Sequence, residues 1–556
     1  MKWFRKKLGI LFCLLIFLWL HCRGTNKEAD LILCNGVVYT CCDENPFVQS
    51  VAVRGKRIIA TGKDDFISRF KGEETRVIDL AGRFVCPGFN DAHIHLMDGG
   101  LNVEELDLTG VTTAREIQRR VLAKIRVLEP GEWVVGRGWD QSLLSGGNLP
   151  NKRILDIISP DVPIMLKRIC GHVVLVNSKA LYIAGIDEKT PDPPGGQIEK
   201  DPETGEPTGI LKEAAQALVR QYMPVVNDAE REEAIMRGLA LAGRYGITSI
   251  QDNCTDETVY VYQKLLREGL LTCRVSVWLP IQEHMSILKK WRGRLKGDML
   301  RFGLVKGFID GSMGARTAAL FEPYHDDPGT KGLPRMSAEQ LNRMVIEADR
   351  EGFQIAFHAI GDMASHMVLN AYEMAYNLNR NRPRRHRIEH AQLLKSDDIS
   401  RFQALGVVAS MQPVHCIEDM RWIVQRLGNR RCRYAYAWRS LQDHGAHLAF
   451  GTDWPVSSMN PMLGLYAAVT RRDTLGYPIQ GWMPNERLAI EEAIKAYTRG
   501  SAYAEWMEKE KGYLAPGALA DLVVLDQNIM EISSKNILKT RVEYTILGGE
   551  IVYQRR

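Results

Sequence analysis

The feature that most constrains this 556-residue chain is a recurrence. Between Phe84 and Asp453, short apolar runs of strand character alternate with helical stretches. Nearly every run that carries a metal ligand or an acid carries it at or just beyond its C-terminal end. Strands one to four read as Phe84-Val-Cys-Pro to His95, Ile247 to Asp252, Arg274 to Trp278 and Leu304 to Asp310. Strands five to eight read as Gln354 to His358, Arg387 to His390, Val407 to Gln412 and His447 to Asp453. Such alternation predicts parallel βα units, and eight of them predict an α/β chain folded as a (β/α)8 barrel of the TIM type. In that fold, strand ends that are far apart in sequence converge on one mouth.

Both ends of the chain have a different texture. From Ala29 to Pro87, short strand-like segments (Leu31–Leu33, Val37–Tyr39, Val51–Val53, Arg57–Ala60, Arg76–Ile78) are separated by Gly and Asn-Gly turns. Asp521–Leu525, Val542–Ile546 and Ile551–Tyr553 repeat that texture around Gly548-Gly549. Residues 28–87 and 508–556 are therefore expected to form one small composite β-sandwich, with the barrel over 88–507. Residues 100–228, between strands one and two, carry strand and helix signals of their own and are expected to form an inserted lobe over the barrel mouth.

Residues 1–22 read as an export segment: Met-Lys-Trp-Phe-Arg-Lys-Lys followed by an apolar stretch from Leu8 to Leu20. That stretch is shorter than the about 20 residues that span a bilayer. The expectation is a periplasmic, secreted or membrane-anchored protein, with lipid attachment at Cys22 as the alternative to cleavage. The bulk composition, 45% hydrophobic and 25% charged with 48 Gly and 23 Pro scattered, is that of a globular enzyme and excludes a disordered or fibrous chain. Eleven cysteines without any Cys-x-x-Cys pair exclude a zinc ribbon or a disulfide-dense framework. Net charge is only +5, and the one dense basic run after the N-terminus, Arg380 to Arg387, reads as a solvated loop leading into a strand; no nucleic-acid partner is expected. Expected partners are a small amide substrate, the membrane only through an N-terminal anchor, and a second copy of the chain in a homodimer.

His93 and His95 are alternate residues on strand one, so their imidazoles point to the same side and are able to ligate one ion. His358 and His390 each end an apolar run, where a histidine without a ligand role needs other partners for its nitrogens. Asp453 ends strand eight, where a carboxylate is placed to take a proton from a metal-activated water and pass it to a leaving group; Asp310 and Glu389 are the next acids in line. Lys306 lies inside strand four, and its buried amine needs an anion or a modification. Two readings stand level: a carbamate bridging a second metal, or an ion pair with Asp310 or a substrate carboxylate. Trp139, Asp140, His172, Arg316, Gln412 and His415 are the candidates for substrate contact in the insertion and loops.

Pro87-Gly-Phe-Asn-Asp-Ala-His-Ile-His95, Asp310-Gly-Ser-Met-Gly-Ala-Arg316, His358-Ala-Ile-Gly-Asp362, Arg387-Ile-Glu-His-Ala-Gln392 and Gly451-Thr-Asp-Trp-Pro455 resemble the amidohydrolase superfamily. Within it the chain is most similar to the YtcJ-like group (amidohydrolase family 3), which includes N-substituted formamide deformylase. Gly131 to Asp140, Gly171 to Ser178 and Gly517 to Leu525 agree. The resemblance implies one or two divalent ions, usually zinc, held by His93, His95, His358, His390 and Asp453, with Lys306 modified in binuclear members. It implies hydrolysis of a non-peptide C–N bond in an amide or formamide by metal-activated water. A deaminase of the same fold is the nearer alternative, but such enzymes usually place a glutamate shortly after the strand-five histidine, where Gly361 and Asp362 stand here. A non-catalytic binding protein on the same scaffold is the other alternative, and such proteins typically lose ligands.

Overall fold

The structure, a computed structural model, describes residues 28–103, 105–128, 131–144 and 147–556; the export segment expected over 1–22 lies outside them. Eight parallel strands form the central sheet: β1 (Phe89–Ile94), β2 (Ile247–Asn253), β3 (Arg274–Pro280), β4 (Leu300–Phe308), β5 (Ile355–Ala359), β6 (Arg387–His390), β7 (Val408–Met411) and β8 (Leu448–Phe450), paired in that order. β5, β6, β7 and β8 are buried at every residue, as strands covered on both faces must be. The barrel closes just beyond β8, where Asp453 N–H donates to His93 O at 2.7 Å and His95 N–H donates to Trp454 O at 2.9 Å.

The helices between strands follow local signals. Helix Ala338–Arg350 begins with a capping box, in which Ser337 and Gln340 each satisfy the other's backbone N–H, and it turns Leu341, Val345 and Ala348 inward. The apolar run expected as strand one is divided at Gly88, where a Cβ would stand 2.3 Å from the Thr248 side chain. Phe84–Pro87, before that glycine, leaves the barrel and pairs with Leu522–Leu525 and with Val37–Tyr39.

The sandwich packs a four-stranded sheet of residues from 29 to 79 on a six-stranded sheet drawn from both chain ends. Leu33, Val51, Val53, Val85, Leu522, Val524 and Ile546 fill the space between them. It is tied to the barrel by a buried fork: Arg274 donates to both oxygens of Asp521 at 2.7 and 2.8 Å. The insertion has its own six-stranded mixed sheet, from Leu106–Asp107 to Pro207–Glu213, with apolar clusters on both faces.

The basic run before β6 corrects the expectation of a solvated loop. Arg384 donates to both oxygens of Asp349 at 2.7 and 2.9 Å, and Arg382 reaches the same carboxylate at 2.7 Å. His386 and Asn379 complete the ring around Asp349, which is fully buried. Arg385 pairs with Glu508 and lies over the rings of Tyr503 and Trp506. The run is a structural clamp between the helix before β5 and the strand β6. Burial pushes the Asp349 carboxyl up, but His386 and Arg384 outweigh it and hold it well below the usual carboxylate range. Asp349→Ala should cost about 3–5 kcal/mol at neutral pH, as loss of one partner of a buried ion pair does. Because the folded carboxyl is depressed, its contribution is complete above the unfolded value of about 4 and fades below it. The gap in melting temperature between wild type and Asp349→Ala should therefore be large at pH 7 and narrow as pH falls below about 4; a gap independent of pH would refute the clamp.

Candidate metal centre

The strand ends deliver the candidate ligands. His93 lies within β1 and His95 directly after it, with ring centroids 5.4 Å apart. His358 and His390 come from the ends of β5 and β6, at 4.5 Å ring to ring, and the His93 and His390 rings are 5.0 Å apart. Asp453 stands three residues past β8, with its Oδ1 3.2 Å from His95 Nε2 and 3.5 Å from His93 Nε2.

Two of these residues hold backbone conformations that L-residues rarely adopt: φ is 74° at His390 and 55° at Asp453. Left-handed non-glycine residues cost on the order of 1–3 kcal/mol and persist only where surroundings fix them. At Asp453 the fixing element is Asp91 of β1, whose carboxylate accepts from Thr452 N–H at 2.9 Å, from the Thr452 hydroxyl and from His93 N–H at 3.2 Å. Gly451 allows the approach, since a Cβ there would lie 2.5 Å from the His93 nitrogen.

The tautomers are set from behind. Glu389 Oε2 lies 2.7 Å from His93 Nδ1, and Gln412 Oε1 lies 2.8 Å from His390 Nδ1, so in each ring the Nε2 lone pair faces the cavity. His358 spends its Nε2 on the Gly311 carbonyl at 3.1 Å, which leaves Nδ1. Burial, assisted by neighbouring cations, lowers His93 to about 4 and holds His358 and His390 well below the usual histidine range, so these rings are neutral. At His95 burial is outweighed by the hydrogen bond to Asp453, which raises it. Burial pushes the Asp453 carboxyl up, but the imidazoles of His93, His95 and His390 hold it ionised, well below its ordinary value.

Ligand atoms of His93, His95 and Asp453 lie within 4.8 Å of one another, as do those of His390, His415 and Asp453; His358 is in neither triad. Neutral imidazoles with one carboxylate are the donors that divalent transition metals prefer. His415 Nε2 is moreover buried without a hydrogen-bond partner. By both tests the residues fit a metal.

Lys306 is 1% exposed, with Nζ 3.5 Å from His93 Nε2 and lying over the Trp278 and Phe308 rings. Burial lowers it to about 8 against the pull of Glu389 and Asp453. The expected ion pair with Asp310 is absent: Asp310 instead accepts backbone N–H groups from Ala319, Ile360 and Gly361.

A cavity of about 890 Å³ opens over these groups, floored by the barrel and walled by the inserted lobe. Of the expected substrate contacts, Asp140, His172 and His415 line it. Asp140 is engaged with Arg168 at 2.9 Å, and His172 with Glu213 at 2.8 Å. The other three require correction. Trp139 is fully buried in the lobe core and donates to the Leu166 carbonyl. Arg316 points away and pairs with Asp326. Gln412 stands behind His390 rather than in the cavity.

Sequence reasoning missed the lobe's contribution of Arg137, Cys170 and Glu213 to the wall, and it named Glu389 only as a fallback acid, without its place behind His93. For Glu389 the signal was present: Arg387 and Glu389 are alternate residues of one strand and must share a face.

The family model described as "Amidohydrolase family" matches residues 76–553. Protein LONG AFTER FAR-RED 3 of Arabidopsis thaliana is 37% identical over 541 residues, 94% of this chain and 92% of that protein. Putative amidohydrolase YtcJ of Bacillus subtilis (strain 168) is 34% identical over 94% of this chain and 98% of its own. N-substituted formamide deformylase of Arthrobacter pascens is 27% identical over 95% and 98%. Among solved structures, an uncharacterized metal-dependent hydrolase from Pyrococcus horikoshii OT3 aligns with a TM-score of 0.73 at 30% identity, covering 91% of this chain and 99% of that one. With eight paired strands, candidate ligands at their ends and a match across most of its length, the chain belongs to the amidohydrolase family, in its YtcJ-like group.

Proposed function

We propose that this chain is a metal-dependent hydrolase that cleaves a non-peptide C–N bond, that of a small amide or N-substituted formamide, with zinc as its metal. The observation that carries the reading is the convergence of buried, neutral imidazoles and an ionised carboxylate at the floor of one large cavity. The similarity to N-substituted formamide deformylase supports the substrate class. His93, His95, His390 and Asp453 would hold the ion, with His358 beside His390. When bound, such an ion brings a water to a pKa of about 7 and polarises a carbonyl.

The chain's own residues supply the rest. Asp453 is ionised and faces the same space as the histidine Nε2 atoms, so it is placed to accept the proton of the attacking water and return it to the departing amine. The two other acids considered for this role are committed elsewhere: Asp310 to three backbone N–H groups, and Glu389 to Arg387 and His93. At the wall, burial pulls His172 down, but Glu213 outweighs it and raises the imidazole to about 9. It is therefore a cation at neutral pH, suited to hold a substrate oxygen.

Metal-replete protein incubated with a panel of N-formyl and N-acyl amines should release free amine from at least one member; a metal-loaded protein inert to the whole panel would count against C–N hydrolysis. His93→Ala combined with His95→Ala should abolish turnover and lower metal content by elemental analysis, and full metal retention there would rule out the ligand assignment. Asp453→Asn keeps the side-chain shape but not the basicity. Its turnover should fall by at least the about 10²–10⁴-fold that general acid–base catalysis contributes, while its metal content falls less than in the His93/His95 variant. A near wild-type rate in that variant would move the proton-transfer role to another group.

A further inference from the structure

The cavity is larger than the reacting group needs. A formyl or acyl group and the nitrogen it leaves occupy only the floor, whereas about 890 Å³ is the size of a site for a much bigger ligand. The extra space runs along the lobe strand Val134–Trp139. Trp133, directly before that strand, Val135 and Arg137 are alternate residues, so they share one face, and all three line the cavity. Val134 turns to the opposite face and joins a different apolar cluster. Arg137 marks the inner end: burial lowers its guanidinium, and Asp453 of the candidate metal centre is first among the carboxylates that oppose this. From there Val135 and Trp133 lead outward over about 13 Å, at about 3.3 Å per residue. Val135 and Met223 pack against the apolar cluster that holds Trp133, and Pro224 and Val226 extend the apolar lining. Lys167 and Glu105, which also line the cavity, neutralise each other at 3.1 Å. At the rim the apolar character continues into solvent, where Val127 and Val225, each next to a lining residue, are 73% and 84% exposed.

We propose that the substrate is an amide with a long apolar arm, and that Val135, Trp133 and Met223 form the subsite that receives the arm. A run of about 13 Å takes a chain of about ten carbons, at a carbon–carbon bond of about 1.5 Å. The polar inner end at Arg137 and the apolar outer wall fix the orientation, reacting group inward and chain outward. This rests on the C–N hydrolase reading above and adds to it the class of substituent.

The test is a homologous series on the intact, metal-replete protein: N-formyl alkylamines from propyl to dodecyl, each below the concentration at which it aggregates. In wild type, kcat/KM should rise by about two- to fourfold for each added methylene, fourfold being the full transfer free energy of a buried methylene. The rise should level off at about ten carbons. Trp133→Ala and Met223→Gln should flatten the series while leaving the rate on N-formylpropylamine unchanged. Met223 is only partly buried, so Met223→Gln carries the test if Trp133→Ala does not fold. Calorimetry with decylamine and propylamine, the corresponding products, reads the subsite without turnover: decylamine should bind more tightly and with a more negative heat-capacity change, and both variants should lose that difference. Hydrolysis of the short members with a flat or falling series would overturn the proposal and leave the C–N hydrolase reading intact. Absence of hydrolysis, together with chain-length-dependent amine binding that Met223→Gln weakens, would defeat that reading and support the arm subsite. Neither hydrolysis nor chain-length dependence would defeat both.

Discussion

The centre of this molecule hangs on a buried ion pair. Arg387 and Glu389 face each other at 2.8 Å inside the barrel, and neither is exposed. Replacing such a pair with well-packed apolar side chains is often neutral or stabilising, because desolvation offsets the attraction. Its value here is geometric. Arg387 donates to the Ala92 carbonyl of β1, to Gln251 of β2 and to the Ser410 hydroxyl of β7, and it lies over the Trp278 ring of β3. One guanidinium on β6 thereby fixes the spacing of four other strands. Glu389, held by that guanidinium and by Ser410, in turn fixes the tautomer and aim of His93. The candidate metal centre inherits its precision from charge placed in the barrel interior.

A second constraint acts where the barrel closes. The eighth strand is short, and the segment after it is pressed onto the first by Asp91 and Thr452. Burial raises Asp91 to about 7 despite the donors around it. The backbone that follows carries Asp453 in a left-handed conformation beside the strand-one histidines. Candidate ligands on the first and last strands of the sheet order are neighbours in space because of this seam.

Much of the centre was legible in the sequence because strand period and strand end are local signals. His93 and His95 share a side by alternation, and His358 terminates the run Ile355-Ala-Phe357, apolar enough to read as interior. The composite sandwich was legible as texture, since Gly-separated β segments recur at both ends. The misjudged residues are those whose direction is decided by distant packing. Trp139 and Asp140 are adjacent, yet one enters the lobe core and the other the cavity wall, a choice set by a sheet that spans residues 106–213. Arg316 was a candidate as a loop residue, but its guanidinium is taken by Asp326, ten residues further along the chain. The basic run before β6 reads as solvated only until Asp349, more than thirty residues earlier, is brought beneath it.

The sandwich has a consequence for how the chain is made. Val85 pairs with Val524, positions 524 − 85 = 439 residues apart, and Phe84–Pro87 lies between a partner from each end of the chain. On a ribosome the N-terminal strands emerge first, with one edge lacking its neighbour until Leu522–Leu525 has been made. Closing a loop of that length adds little entropy cost beyond that of a shorter one, but it imposes an order of events. From β2 onward the barrel strands have their partners close behind them in sequence and are free to associate during synthesis, whereas the six-stranded sheet of the sandwich is completed only late. Until then the open edge is a surface on which two nascent copies could exchange strands.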